Sequence, residues 1–133
     1  MDNKSILISG AGIAGLALAY WLKKYGFKPT VIEFAPKLRE GGYAIDFFGA
    51  GFEVAEKMGI LSDLEKTDLR IKEVVFVDEQ NRKQGALNAF QIRGLVNGRF
   101  YNVLRSDLAR VISAHLDSDI EFIFGDTITK IEQ

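Results

Sequence analysis

No cysteine occurs among the 133 residues, which removes disulfides and every thiolate metal site from consideration. The absence fits a reducing compartment, and cytoplasmic placement is the expectation. Strong charge of either sign is lacking too. The formal net charge is −1, too weak a field to gather nucleic acid or an acidic membrane surface, so neither is expected as a partner. Long apolar runs are missing from the start of the chain. The opening "MDNKSILISG" is too short in apolar residues for a signal peptide or a membrane span. Histidine occurs once, at His115, with no partner in view to orient it for acid–base chemistry. Internal repeats, low-complexity tracts and linkers are absent as well.

What is present is ordinary for a globular chain of one domain: 47% hydrophobic and 26% charged residues, enough for one core. "SILIS", residues 5 to 9, is a short Ile-rich run stopped by Gly10, and it reads as a parallel strand buried on both faces. From Ile13 to Tyr25, Leu16, Ala19, Tyr20 and Leu22 recur at helical spacing, with Gly26 placed to cap the end. "TVIEF", residues 30 to 34, is β-branched and apolar, so the first unit reads strand–helix–strand with a right-handed crossover.

Further along, residues 35 to 51 read as loop, with Pro36 and several glycines around one apolar segment. "FEVAEKMGILSDLEK" carries helical periodicity. "KEVVFVDEQNRKQGAL" reads as a hairpin about a polar turn at Glu79 to Arg82. "FQIRGLVNGRFYNVLR" mixes extended residues and turns. Ser106 is placed to cap the helix "DLARVISAHL", with Asp107 in its first turn. "IEFIFG" reads as another buried strand, and "DTITKIEQ" as the start of one more.

Gly10, Gly12 and Gly15 stand at G-x-G-x-x-G spacing directly after a strand and at the opening of a helix. Each has its own physical role in a dinucleotide site. Gly10 permits the tight turn, Gly12 lets backbone approach a pyrophosphate, and Gly15 allows close helix–sheet packing. The pyrophosphate then rests on free N–H groups at the helix N-terminus. Glu33 lies about 20 residues past Gly10, where an acid accepts hydrogen bonds from a ribose diol. An acid there repels a 2′-phosphate, which excludes NADP from this loop and leaves FAD and NAD both open.

Beyond Glu33, four ordered segments carry a resemblance: "GAGIAGLALAYWLKKYGFKPTVIE", "LREGGYAIDFFGAG", "EVAEKMGILSDL" and "VLRSDLARVISAHL". Together the chain resembles the FAD-dependent aromatic hydroxylases and related single-component flavoprotein monooxygenases, a family that includes relatives of para-hydroxybenzoate hydroxylase and the tetracycline-inactivating monooxygenases. The resemblance implies an α/β fold: a partial Rossmann-like FAD/NAD(P)-binding domain with a parallel sheet and an inserted β-hairpin. Residues 1 to 133 would form the N-terminal part of that domain, with the substrate domain absent.

Carried over by position, the resemblance gives Gly10, Ala11, Gly12, Ile13, Ala14 and Gly15 to the FAD pyrophosphate. It gives Glu33 to the adenosine ribose and Phe34 to the adenine, although many members have Arg or Lys at the latter position. Arg39 and Arg105 would reach diphosphate or ribityl oxygens, for which a guanidinium is suited. Gly42 to Asp46 would line the flavin's side of the site. Plain structural readings stand beside these: surface arginines, a loop-capping Asp46, and packing roles for Trp21, Phe47, Phe48 and Phe52.

In the complete enzyme such a family implies NAD(P)H as reductant, FAD as the redox group, and an aromatic or polycyclic small molecule as the substrate to be hydroxylated. No catalytic residue is expected in this portion, because the flavin carries the hard chemistry. The alternatives are a non-catalytic adenine-nucleotide-binding module, or an inert fragment, and an NAD-dependent dehydrogenase. The last is disfavoured because residues 35 to 119 do not read as repeated strand–helix–strand units. Family motifs that follow the last strand are missing, so this chain alone is expected to be inactive. The strand "SILIS" would then offer an open edge, which predicts a homo-oligomer through strand pairing.

Overall fold

A computed structural model of the protein describes residues 4–132. In chain order the first half holds β1 (Ser5–Ser9), α1 (Ile13–Lys24), β2 (Lys28–Glu33), β3 (Ala44–Phe48), α2 (Ala50–Met58) and α3 (Leu61–Lys66). The second half holds β4 (Glu73–Val77), β5 (Lys83–Asn88), α4 (Ala89–Leu95), β6 (Phe100–Leu104), α5 (Arg105–Ala114) and β7 (Glu121–Phe124). These elements form two compact units, Met1–Gly42 with Arg105–Gln133, and Tyr43–Leu104. None of the described helices is long and apolar enough to cross a membrane.

The first unit is a parallel sheet in the order β1-β2-β7. Ser5 to Ser9 of β1 run beside Lys28 to Ile32, and Thr30 to Glu33 run beside Glu121 to Phe124. A parallel pair needs a crossover, and α1 supplies it. Leu16, Ala19 and Val31 are fully buried, and Ile8, Ile32, Leu108, Val111, Ile112 and Ile120 complete the core. α5 packs against α1, and burial of each large aliphatic side chain here contributes roughly 1.5–3 kcal/mol. Gly26, at φ +80, turns the chain out of α1 and into β2.

The expectation of strands buried on both faces fails for β1 and β7. Only Ile8 of β1 is buried while Leu7 is half exposed, and Ile123 and Phe124 of β7 are exposed as well. Both strands are edges of a three-stranded sheet, so apolar sequence does not become two-sided burial. Residues 126–132 form no strand. Gly125, at φ +74, ends β7, and its N–H donates to the Ala35 carbonyl at 3.0 Å. Gln133, the last residue of that expected strand, lies outside the described residues. Ser106 is not a cap either, because β6 runs straight into α5 and the helix begins at Arg105. Asp107 does occupy the first turn.

The second unit contains an antiparallel pair that local sequence did not disclose. β3, inside the stretch expected to be loop, lies beside β6, with Ala44 opposite Leu104 and Phe48 opposite Phe100. The helical periodicity after it becomes two helices, separated at Gly59, whose φ of +76 is a left-handed cap that L side chains resist. The hairpin of β4 and β5 forms as expected, with an irregularity at Phe76/Val77. The undecided stretch after it resolves into α4 and β6. Asn88 caps α4, its side-chain oxygen accepting from the Phe90 N–H at 2.8 Å. Phe52, Ala55, Met58, Ile60, Leu64, Phe100 and Val103 form this unit's core. Phe52 therefore packs as expected, but Phe48 is half exposed.

Candidate functional site

The glycine loop joins β1 to α1. Gly10 holds φ +103, and its N–H donates to the Ile32 carbonyl at 2.7 Å, fastening the turn to β2. Gly12 is the N-cap of α1 in extended conformation, and no side chain caps the helix there. The first N–H groups of α1 are thereby left for another acceptor, with the positive end of the helix dipole behind them. A Cβ placed on Gly12 would meet nothing within 4 Å, so the space beside this backbone is open. A Cβ on Gly15 would collide with the Gly10 carbonyl oxygen and lie 3.1 Å from its carbon. Gly15 thus allows close packing while Gly12 leaves room. Between them Ala11 is buried, Ile13 half-buried and Ala14 exposed.

Glu33, the last residue of β2, turns its carboxylate onto this loop. Its Oε2 accepts from the Ala11 N–H at 2.7 Å, and its Oε1 accepts from the Ala35 N–H at 2.9 Å. The Ala35 bond, then the Ala11 bond, holds the Glu33 carboxyl below the ordinary carboxylate range, and the positive charge of Arg39 adds to this. An ionised acceptor is therefore fixed beside the helix N-terminus. Each oxygen keeps a further lone-pair direction for a hydroxyl donor. Phe34, next in sequence, is 78% exposed and offers a bare aromatic face.

Arg39 is exposed. Gly42, at φ +125, lies against the first residue of α5: a Cβ built on it would be 3.8 Å from the Cβ of Arg105. Arg105 is itself exposed. The first unit thus joins Glu33 directly to Ala11 of the glycine loop, and Gly42 to Arg105.

Asp46 belongs to the second unit, on β3, and is exposed. Its Oδ1 accepts from the Asn102 Nδ2 at 2.7 Å. Asn102 is 3% exposed, a polar residue buried in the second unit. The one local signal for it is an Asn inside the largely apolar strand "FYNVL". Below it, the buried Asp68 carboxylate accepts from Arg93 Nη2 at 2.7 Å and from the Asn102 N–H at 3.0 Å.

His115 makes a local bond, its Nδ1 lying 2.9 Å from the Val111 carbonyl oxygen and so acting as the donor. Trp21 stacks on Tyr25, with the Lys24 ammonium 4.9 Å from its ring centroid. Among the described residues no group of three or more His, Asp or Glu side chains could hold a metal ion.

Residues 8–52 match the family model of an NAD(P)-binding Rossmann-like domain. An uncharacterized protein of Mycobacterium tuberculosis is 35% identical over 130 residues, covering 97% of this chain and 35% of its own. A flavin-dependent monooxygenase of Legionella longbeachae is 34% identical over 135 residues, covering 98% and 33%. Among solved structures, tetracycline destructase Tet(55) superposes with a TM-score of 0.81 at 32% identity, over 98% of this chain and 32% of that one. The chain spans about a third of the length of the relatives it matches.

Proposed function

We propose, from the premise that this chain is homologous to the flavin-dependent monooxygenases and matches the N-terminal portion of their fold, that it is an FAD-binding segment of such an enzyme. The observation that carries this is the Glu33 carboxylate bonded to Ala11 beside an uncapped helix N-terminus. An acid at that point suits an adenosine ribose, and free N–H groups suit a diphosphate. A flavin cofactor that also carries adenosine and a diphosphate is FAD.

The residues present fit that group. The open space over Gly12 is a cradle that a Cβ would fill. Gly10, Ala11, Gly12, Ile13, Ala14 and Gly15 would receive the diphosphate, and Glu33 the ribose hydroxyls. Phe34 would lie along the adenine. Arg39 and Arg105 would pair with diphosphate or ribityl oxygens, and Gly42 would meet the flavin end. Bound FAD supplies electron transfer and oxygen chemistry, for which NAD(P)H is the expected reductant and an aromatic or polycyclic small molecule the expected substrate. This chain's own residues bind and orient the cofactor and keep an ionised carboxylate at its ribose.

Cytoplasmic placement remains the reading for a chain without cysteine. A second copy of the chain is a further expected partner, because among the described residues β1 pairs with β2 alone and its outer edge carries backbone groups open to another strand. Sedimentation tests this: Leu7→Lys on that edge should weaken self-association, and a monomer at every concentration contradicts it.

For the cofactor, the deciding experiment is a fluorescence and calorimetric titration with FAD, with AMP as competitor. Saturable FAD binding displaced by AMP is expected. Binding that AMP leaves untouched would contradict an adenosine site at Glu33.

A further inference from the structure

We propose that the outer edge of β4 is an interface for a second copy of this chain, which pairs with it antiparallel about Val75 to form a four-stranded sheet. β4 belongs to the second unit, so this edge is independent of β1. All five of its residues are exposed, and Val74, Val75, Phe76 and Val77 are consecutive large apolar side chains. Among the described residues β4 pairs with β5 alone. A two-stranded hairpin is marginal in water, and three or more strands with an apolar face are needed for stability.

The backbone fixes which groups are free. The Lys72 carbonyl accepts from the Ala89 N–H at 3.0 Å, and at the other end the Asp78 N–H donates to the Arg82 carbonyl at 3.0 Å. Even-numbered residues of the strand therefore spend their backbone groups on β5. Glu73, Val75 and Val77 turn theirs to the open edge. Two antiparallel copies must pair outward residue with outward residue. The register that uses all three sets Val75 opposite Val75 of the second copy, and Glu73 opposite Val77.

Side chains and charges favour the same arrangement. Val74 comes to lie opposite Phe76 of the second copy, on the face where Leu87 of β5 stands beside Val74, so the apolar face continues across all four strands. Lys72 is exposed and has no ion pair among the described residues. In this register it faces Asp78 of the second copy, twice by symmetry. Parallel pairing would instead set Lys72 against Lys72 and Glu73 against Glu73, which is unfavourable. The strand is thus its own complement, and the two-fold contact closes as a dimer.

The test uses the full chain carrying Leu7→Lys, which removes the contribution of the β1 edge. The chain has no cysteine, so Val75→Cys and Val74→Cys each introduce a single thiol at an exposed position. Cα atoms of paired Val75 residues would be about 5.5 Å apart, within disulfide reach. Those of the two Val74 residues would be about 7–8 Å apart, diagonal to each other, and out of reach. On air oxidation Val75→Cys should give cross-linked dimer at least about tenfold faster than Val74→Cys, read on non-reducing gels. Equal rates, or no dimer from either, overturn the proposal. Val75→Lys sets like charges opposite each other and should raise the dimer Kd at least about tenfold in sedimentation equilibrium. An unchanged Kd in that folded variant overturns the proposal, as does a Leu7→Lys chain that stays monomeric at every concentration.

Discussion

Glu33 and Ala11 are 22 residues apart in the chain and 2.7 Å apart across one hydrogen bond, the Oε2 of one accepting from the amide N–H of the other. The bond ties the end of β2 to the loop that opens α1. Through Oε1 and Ala35 the same carboxylate also holds the chain that leaves the strand. Glu33→Ala frees two N–H groups in a half-buried place and should destabilise the chain by about 1–3 kcal/mol, read by urea unfolding. FAD affinity should fall with it.

The same carboxylate gives stability a pH dependence. Backbone bonds from Ala35 and Ala11 lower its pKa from the ordinary 4.5, so the folded chain binds this proton less readily than the unfolded chain. The Glu33 contribution is then complete above the unfolded value and is lost as pH falls through the lower folded one. The stability gap between wild type and Glu33→Ala should be widest near about pH 7 and should narrow toward about pH 3. A gap that stays constant over that range would contradict the assignment.

Gly12 and Gly15 should separate in their effects. Gly15→Ala drives a Cβ into the Gly10 carbonyl and should cost about 2–3 kcal/mol of stability. Gly12→Ala meets no protein atom within 4 Å, so unfolding should be near wild type while FAD binding weakens. Equal stability losses for both would show that the space over Gly12 is not open.

Asp68 should be a stability residue of the second unit. Its carboxylate is 5% exposed and is bonded to Arg93. Asp68→Ala leaves that guanidinium with Nη2 unpaired as well as the already unpartnered Nε. A loss of about 3 kcal/mol is expected in urea unfolding, and a loss well under about 1 kcal/mol would place the pair among ordinary surface bridges.

The elements that sequence disclosed are those whose causes are local. Gly10, Gly12 and Gly15 needed only a strand before them and a helix after them, and the β4–β5 hairpin needed only its polar turn. β3 stayed hidden because its partner, β6, is more than fifty residues away along the chain, beyond any local periodicity. The break at Gly59 was visible as a residue but not as a conformation, since a glycine inside helical periodicity does not announce its φ. Two-sided burial was misread for β1 and β7 because apolar content cannot say that a strand is an edge. At the candidate site, Glu33 was legible from spacing. Asn102 was not, because its meaning depends on lying opposite Asp46.

The most direct measurement is a calorimetric FAD titration of the wild-type chain and of Gly12→Val, with circular dichroism showing both to be folded. Saturable binding by the wild type, lost in Gly12→Val, is the predicted result, because the valine side chain fills the space reserved for the diphosphate. Equal binding by both folded chains would contradict the claim that FAD rests on the glycine loop.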